Sequence, residues 1–376
     1  MNENEILSYA AAVQPSGEEF LKAAAERQGA LAKPPGSLGL LEEYSIRMAG
    51  VQKTIRPHTD HPGILVFAAD NGVVEEGVSS APKSVTWSQC VNMTRHLTGM
   101  SSMAHHFGDD VLVVDVGVDA RFSPEQHAAG ILDRKVRMGT RNLAKEAAMT
   151  REEVCAAMSA GIEAVGILKE RGVDVIGIGE MGIGNTTTSS CVLAVLTGSD
   201  AETVTGRGGG LTDEAFVHKK QLIARALEMH FPGFPEQPVQ DDVIGVLSKV
   251  GGLDISAMCG AFLACAREGI PAVVDGFISI VAAMCAVRLC PAAKDAVFLS
   301  HASYEIGYRI ATEDLGLAPC LLCGMRLGEG SGCVVMFRVL EAACAAMNEM
   351  ATFEEASIND DYLEEIRAKD SFTVES

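Results

Sequence analysis

The stretch Gly324-Met-Arg-Leu-Gly-Glu-Gly-Ser-Gly332 carries one carboxylate, Glu329, with glycine on either side, directly after the apolar run Pro319 to Cys323. Glycine allows positive φ and lets a ligand approach the main chain closely. The segment reads either as a seat for a general base or as a tight turn presenting a solvent-facing acid. Other apolar runs end in comparable residues. Ala69 runs into Asp70-Asn-Gly72, Val116 into Gly117-Val-Asp119, and Ile178 into Gly179-Glu-Met-Gly-Ile-Gly-Asn185. Val274 leads to Asp275-Gly-Phe277, and Leu299 to Ser300-His-Ala-Ser303. Acids, hydroxyls and glycines at successive strand ends are where an open α/β sheet places its chemistry.

Two glycine-rich loops suggest an anion site. Gly177-Ile-Gly-Glu-Met-Gly182 fits G-x-G-x-x-G, with Asp200 further on. That spacing suggests a dinucleotide, but Glu180 would repel a pyrophosphate. Asn185-Thr-Thr-Thr188 offers amide and hydroxyl groups suited to a single sugar or phosphate. Thr205-Gly-Arg-Gly-Gly-Gly210 precedes a helix opened by Thr212 and Asp213. Its backbone N–H groups and Arg207 read as a monophosphate cradle, or else as a plain connecting loop. Lys219 and Lys220 follow on that helix, one facing the crevice and the other solvent. Ser80 and Gln89 lie on a polar segment that either meets a ligand edge or caps a helix.

The elements that must position these groups follow from periodicity. Strands are expected at Ile64–Ala69, Val111–Val116, Val173–Ile178, Ala272–Val274, Ala296–Leu299 and Cys320–Leu322. Helical stretches are expected near 85–107, 150–171, 185–197, 212–230, 254–268, 277–289 and 303–314. Runs apolar on both faces, alternating with helices, imply a parallel sheet covered on both sides. Before Pro62 only helical patterns occur, at Glu5–Ala12, Glu18–Leu31 and Leu38–Val51. Val334–Met350 is again helical and is expected to pack back on them. The expected division is a large α/β domain, 61–333, and a small helical domain from 1–60 and 334–376. Phe231-Pro-Gly-Phe-Pro-Glu-Gln-Pro238 is read as a connection inside the large domain.

A net charge of −20 argues against binding nucleic acid or an anionic membrane surface. The eleven cysteines sit mostly in apolar stretches after an acidic start, so reduced thiols in the cytoplasm are expected. Apolar runs are broken by charge or glycine before they reach membrane-spanning length. Cys320 and Cys323, three apart on a strand, would face opposite ways. The nine histidines show no metal-ligand spacing, and no G-x-S-x-G elbow offers a serine nucleophile. Neither a metal nor a cofactor is expected.

Taken in order, several blocks resemble the nicotinate-nucleotide–dimethylbenzimidazole phosphoribosyltransferase family. They are Lys33-Pro-Pro-Gly-Ser-Leu-Gly39, Ala69-Asp-Asn-Gly72, Gly179 to Thr187, Thr205-Gly-Arg-Gly208, Gly251-Gly-Leu-Asp-Ile255, Asp275-Gly-Phe-Ile278, Ser300-His and Gly324 to Gly332. The resemblance runs from about residue 30 to 345. It implies a Rossmann-like homodimer with a small domain built from both chain ends. The implied reaction takes nicotinate mononucleotide and a benzimidazole to α-ribazole 5′-phosphate and nicotinate. By the same resemblance Glu329 and Glu180 are the catalytic acids and Lys219 lies near the phosphoribosyl group. Ser80 and Gln89 contact the base, and Gly182, Gly184, Asn185, Thr186, Arg207, Gly208, Ser300 and Ser303 complete the substrate site. Ala81-Pro-Lys-Ser84 replaces an aromatic-containing stretch of the commonest family pattern. Competing expectations are an enzyme attaching adenine or a phenol to the same donor, and a non-catalytic nucleotide sensor.

Overall fold

A computed structural model describes residues 1–236 and 242–363. Six strands form one parallel sheet: β1 (Pro62–Ala69), β2 (Asp110–Gly117), β3 (Ile131–Asp133), β4 (Val175–Met181), β5 (Ala272–Val274) and β6 (Val297–Leu299). Their order is β3-β2-β1-β4-β5-β6, so the topology reverses between β1 and β4. Every residue of β1 and β4 is buried, as a strand covered on both faces requires.

Strand alternation divides the core. Leu65 and Phe67 face the helices Arg151–Glu170, Leu253–Glu268 and Phe277–Leu289. Ile64, Val66 and Ala68 face Leu40–Gln52, Ser84–Met93, Gly99–Phe107 and Ser331–Glu349. Glycine sets how close these layers come. A Cβ on Gly161 would lie 1.8 Å from the Ala257 carbonyl oxygen, and one on Gly260 would lie 2.1 Å from that of Met158. The helices Arg151–Glu170 and Leu253–Glu268 therefore touch backbone to backbone. A Cβ on Gly177 would meet Cys333 Cβ at 2.5 Å, and one on Gly179 would meet the Gly330 nitrogen at 2.5 Å. The first two glycines of the G-x-G-x-x-G pattern thus seat the helix Ser331–Glu349 on the sheet, which accounts for them without a dinucleotide.

Several expectations are corrected. Cys320–Leu322 is not a strand: Leu321 makes a single parallel bridge to His301, and Leu322 is 85% exposed. An apolar run with no layer to cover it does not join a sheet. β3 was not anticipated: unlike the equally short β5 and β6, which are buried throughout, it is only partly buried and ends in Asp133, so no apolar run marks it. The helical stretch near 85–107 breaks between Ser84–Met93 and Gly99–Phe107, where His96 takes φ +58° and Thr98 caps the second helix. Val243–Val250 is an additional helix. β4 runs on to Met181, so Glu180 stands on the strand, not in the loop beyond it.

The helices Glu18–Ala30 and Leu40–Gln52 contact the end of the helix Ser331–Glu349 and the residues just after it. Leu31 bridges Thr352, Arg27 Nε donates to the Met347 carbonyl at 2.8 Å, and Ala24, Ala49 and Met347 pack together. The first helix, Glu3–Ala11, instead buries Ile6 and Ala10 in the large-domain core and ties Glu3 to Arg151. The boundary expected at residue 60 therefore does not hold for this helix, whose apolar face fits the larger layer. The helix Ser331–Glu349 is long and apolar enough to cross a membrane by length and composition, yet Met336, Phe337 and Leu340 are fully buried against the sheet and Met48. Residues 237 and 238 of the expected Phe231–Pro238 connection, and 364–376 of the expected small domain, lie outside the described residues.

Candidate active site

Beyond the carboxyl ends of β4, β5 and β6 lies a cavity of about 280 Å³. Its wall includes Ser80, Gln89, Glu180, Gly182, Gly184, Asn185, Thr186, Arg207, Gly208, Ser303 and Glu329. Of the expected site residues only Lys219 and Ser300 stand behind this wall. The helix Ser84–Met93 brings Val85 and Gln89 to it one turn apart.

Glu329 sits in the middle of three consecutive residues with positive φ: Gly328 at +83°, Glu329 at +63° and Gly330 at +87°. A non-glycine residue held there costs about 1–3 kcal/mol, which the surroundings must offset. Its side chain is buried, not solvent-facing. Gln89 Nε2 donates to Oε1 at 3.0 Å, while Oε2 has no hydrogen-bond partner. Burial pushes its carboxyl above the usual range, opposed by the Gln89 hydrogen bond and by the nearby Thr98 side chain.

Glu180 projects from the end of β4 and accepts a short hydrogen bond from Asn185 Nδ2. The same amide group also donates to Asp254 Oδ2 at 3.0 Å. Burial pushes Glu180 up to about 8, with Asp254, Asp275 and Glu329 adding to the rise. Burial likewise lifts Asp254 to about 6. Asp275, following β5, is raised by burial despite the neighbouring imidazole of His301. These buried acids repel one another, and a cavity wall of this kind favours a cationic guest.

The Glu180 shift has a measurable consequence. An unfolded Glu titrates near 4.5. Between there and about 8 the folded chain keeps a proton that the unfolded chain has lost, so this group makes stability fall as pH rises. In Glu180→Gln, which keeps an acceptor for Asn185, the melting temperature is expected to exceed the parent's by more at pH 8 than at pH 5. A gap that does not change with pH would contradict this.

The two lysines separate cleanly. Lys219 is fully buried, and its Nζ donates to Thr186 Oγ1 at 2.9 Å and to the Gly206 carbonyl at 3.2 Å. Burial lowers it to about 8, opposed by the Glu305 carboxylate. Lys220 pairs with Glu202 and lies over the Phe216 ring. Arg207 lines the cavity, but its guanidinium binds Asp213 at 2.6 Å and the Leu211 carbonyl at 3.0 Å. Ser300 Oγ donates to the Asp275 carbonyl at 2.8 Å and lies 3.1 Å from His301 Nδ1, so it pins the β5–β6 edge from beneath.

No site role was expected of Asp254, Asp275, His301, Glu305 or Arg326. Asp275 and His301 each follow a strand, which was a usable signal; the clustering of buried acids exists only in three dimensions. Among the described residues no group of three or more His, Cys, Asp or Glu is placed to hold a metal ion. All eleven cysteines are free thiols, with Cys320 half-buried and Cys323 exposed.

A family model described as phosphoribosyltransferase matches residues 13–358. The nicotinate-nucleotide–dimethylbenzimidazole phosphoribosyltransferase of Clostridium perfringens (strain ATCC 13124) is 44% identical over 371 residues, spanning 99% of both chains. The protein of that name from Citrifermentans bemidjiense is 43% identical, over 94% of this chain and 99% of its own. The crystal structure of CobT from Thermus thermophilus superposes with a TM-score of 0.84 at 38% identity, covering 91% of this chain and 99% of that one. Alike in sequence over nearly its whole length and in the course of its backbone, the chain belongs to the nicotinate-nucleotide–dimethylbenzimidazole phosphoribosyltransferase family.

Proposed function

We infer that this cavity transfers the phosphoribosyl group of nicotinate mononucleotide to 5,6-dimethylbenzimidazole or a related base, in assembly of the cobalamin nucleotide loop. The products are α-ribazole 5′-phosphate and nicotinate. The observation that carries the reading is Glu329: a buried carboxylate on the cavity wall, with one oxygen held by Gln89 and the other unpartnered.

One ring nitrogen of the benzimidazole attacks C1′, opposite the departing nicotinate, so the β-nucleotide gives an α-product. The C1′–nicotinate bond breaks and its electron pair neutralises the cationic pyridine nitrogen. The attacking ring becomes acidic as its new bond forms, and its second N–H gives its proton to Glu329 Oε2. The acids around Glu180 suit the donor, whose nicotinate nitrogen is cationic and whose ribose gains positive charge as the C1′–nicotinate bond breaks. Glu180 is placed to orient a ribose hydroxyl or to ease charge on the sugar, and a cationic guest would draw off its proton. A phosphate over Gly208 and Thr186 would have the Lys219 ammonium behind it, whose charged form it would favour. Ser80 and Ser303 stand on the same wall as hydroxyl partners.

The reading extends to a homodimer. Tyr304, Leu322 and Leu327, on the loops after β6 and before Glu329, and Ile306, which opens the helix Ile306–Leu315, expose apolar surface that a second copy would cover; light scattering reads the mass.

The test combines purified protein, nicotinate mononucleotide and a panel of benzimidazoles, adenine and phenols, with nicotinate followed by chromatography. Release that requires a base, and is fastest with benzimidazoles, is expected. Release without any base, or none with any base, would overturn the reading.

A further inference from the structure

The strained turn that presents Glu329 is held by a residue elsewhere in the sheet. Asp275 Oδ2 accepts the Gly330 N–H at 2.9 Å, and Oδ1 accepts the Gly332 N–H at 2.7 Å. Both donors belong to the start of the helix Ser331–Glu349, where N–H groups have no intrahelical acceptor. The two oxygens of one buried carboxylate therefore fix the backbone immediately after Glu329. The clamp is itself immobilised. Ser300 Oγ holds the Asp275 carbonyl, Ser279 Oγ accepts the Asp275 N–H at 3.3 Å, and a Cβ on Gly332 would strike His301 Nδ1 at 2.2 Å.

We propose that Asp275 is the positioning residue for the reaction: by chelating the Gly330 and Gly332 N–H groups it holds Glu329 in its left-handed conformation, with Oε2 directed to the proton it must accept. This rests on the transfer reaction proposed above. A carboxylate is needed because both atoms must accept. An amide would turn one NH₂ against a backbone N–H and open the clamp at one end.

The experiment compares Asp275→Asn, Glu329→Gln and the double variant with the parent enzyme, using nicotinate mononucleotide and dimethylbenzimidazole. Asp275→Asn is expected to lower kcat roughly 10- to 100-fold, as misplacement by about 1 Å can do, with KM for the nucleotide nearly unchanged. In the Glu329→Gln background the same change is expected to cost little, since nothing remains to be positioned. A parent-like kcat in Asp275→Asn, or a loss that multiplies in full with that of Glu329→Gln, would overturn the proposal. Should the asparagine variant not fold, Asp275→Ser is read by the same criteria; it keeps a single acceptor and buries no amide. A parent enzyme that releases no nicotinate would instead sink the transfer reaction itself, so the two failures are distinct.

Discussion

Glu329→Gln is expected to lower turnover by roughly 10²- to 10⁴-fold, the usual contribution of a positioned general base. The substitution is close to isosteric. A glutamine oxygen can still accept from Gln89 Nε2, and the left-handed backbone at 329 strains both residues alike. What disappears is the capacity to take a proton. Affinity for nicotinate mononucleotide should therefore survive, so the loss falls in kcat and in kcat/KM together. In the parent, Glu329 must be ionised to act, and burial raises its carboxyl above the ordinary range. The rate is thus expected to fall on the acid side of a pH higher than an exposed glutamate would set, and that limb should be missing from the variant. Parent-like turnover in Glu329→Gln would remove the carboxylate from the mechanism.

The second large effect concerns stability. Gly161→Ala places a methyl group where the Ala257 carbonyl oxygen stands, 1.8 Å from the ideal Cβ position. No side-chain rotamer relieves a clash between a Cβ and a backbone carbonyl. The helices Arg151–Glu170 and Leu253–Glu268 must separate, carrying with them a core that includes Leu65 and Phe67 of β1. Overpacking of this kind typically costs about 1–3 kcal/mol, and a contact this close belongs at or above the upper end. Denaturant titration should show a clearly lower midpoint for Gly161→Ala. By contrast Gly166→Ala, five residues along the same helix with open space at its Cβ, should equal or exceed the parent. Equal midpoints for Gly161→Ala and the parent would mean that the helices do not touch through their backbones.

Much of this fold could be read from apolar runs ending in glycine or acid. β1, β2, β4, β5 and β6 are long or hydrophobic enough to be marked, and β4, β5 and β6 end at the cavity wall. What escaped did so for physical reasons. β3, Ile131–Asp133, is a partly buried edge that ends in an acid and has no continuous apolar run to mark it. Cys320–Leu322 has a strand's composition, but no neighbouring layer buries it. Lys219 and Lys220 are adjacent on a helix and so point in directions roughly 100° apart; only packing decides which one the core takes. Gly177 and Gly179 fit a phosphate-loop spacing because a helix needs the same absence of side chains that a pyrophosphate would. Glu329 was legible from local sequence as an acid between glycines, and Glu180 as an acid at a strand end. Asp275 was visible in the same way, but its two hydrogen bonds cross from β5 to a helix far along the chain.

The central claim is that Glu329 removes the proton from the second ring nitrogen of the incoming base. It is tested most directly by deleting that proton from the substrate. Single-turnover rates at saturating base can be compared for the parent and Glu329→Gln, first with 5,6-dimethylbenzimidazole and then with its N-methylated counterpart, whose product stays cationic and needs no base. The account predicts a large parent-to-variant ratio with the first substrate and a ratio near unity with the second. A ratio equally large with the methylated base would contradict it.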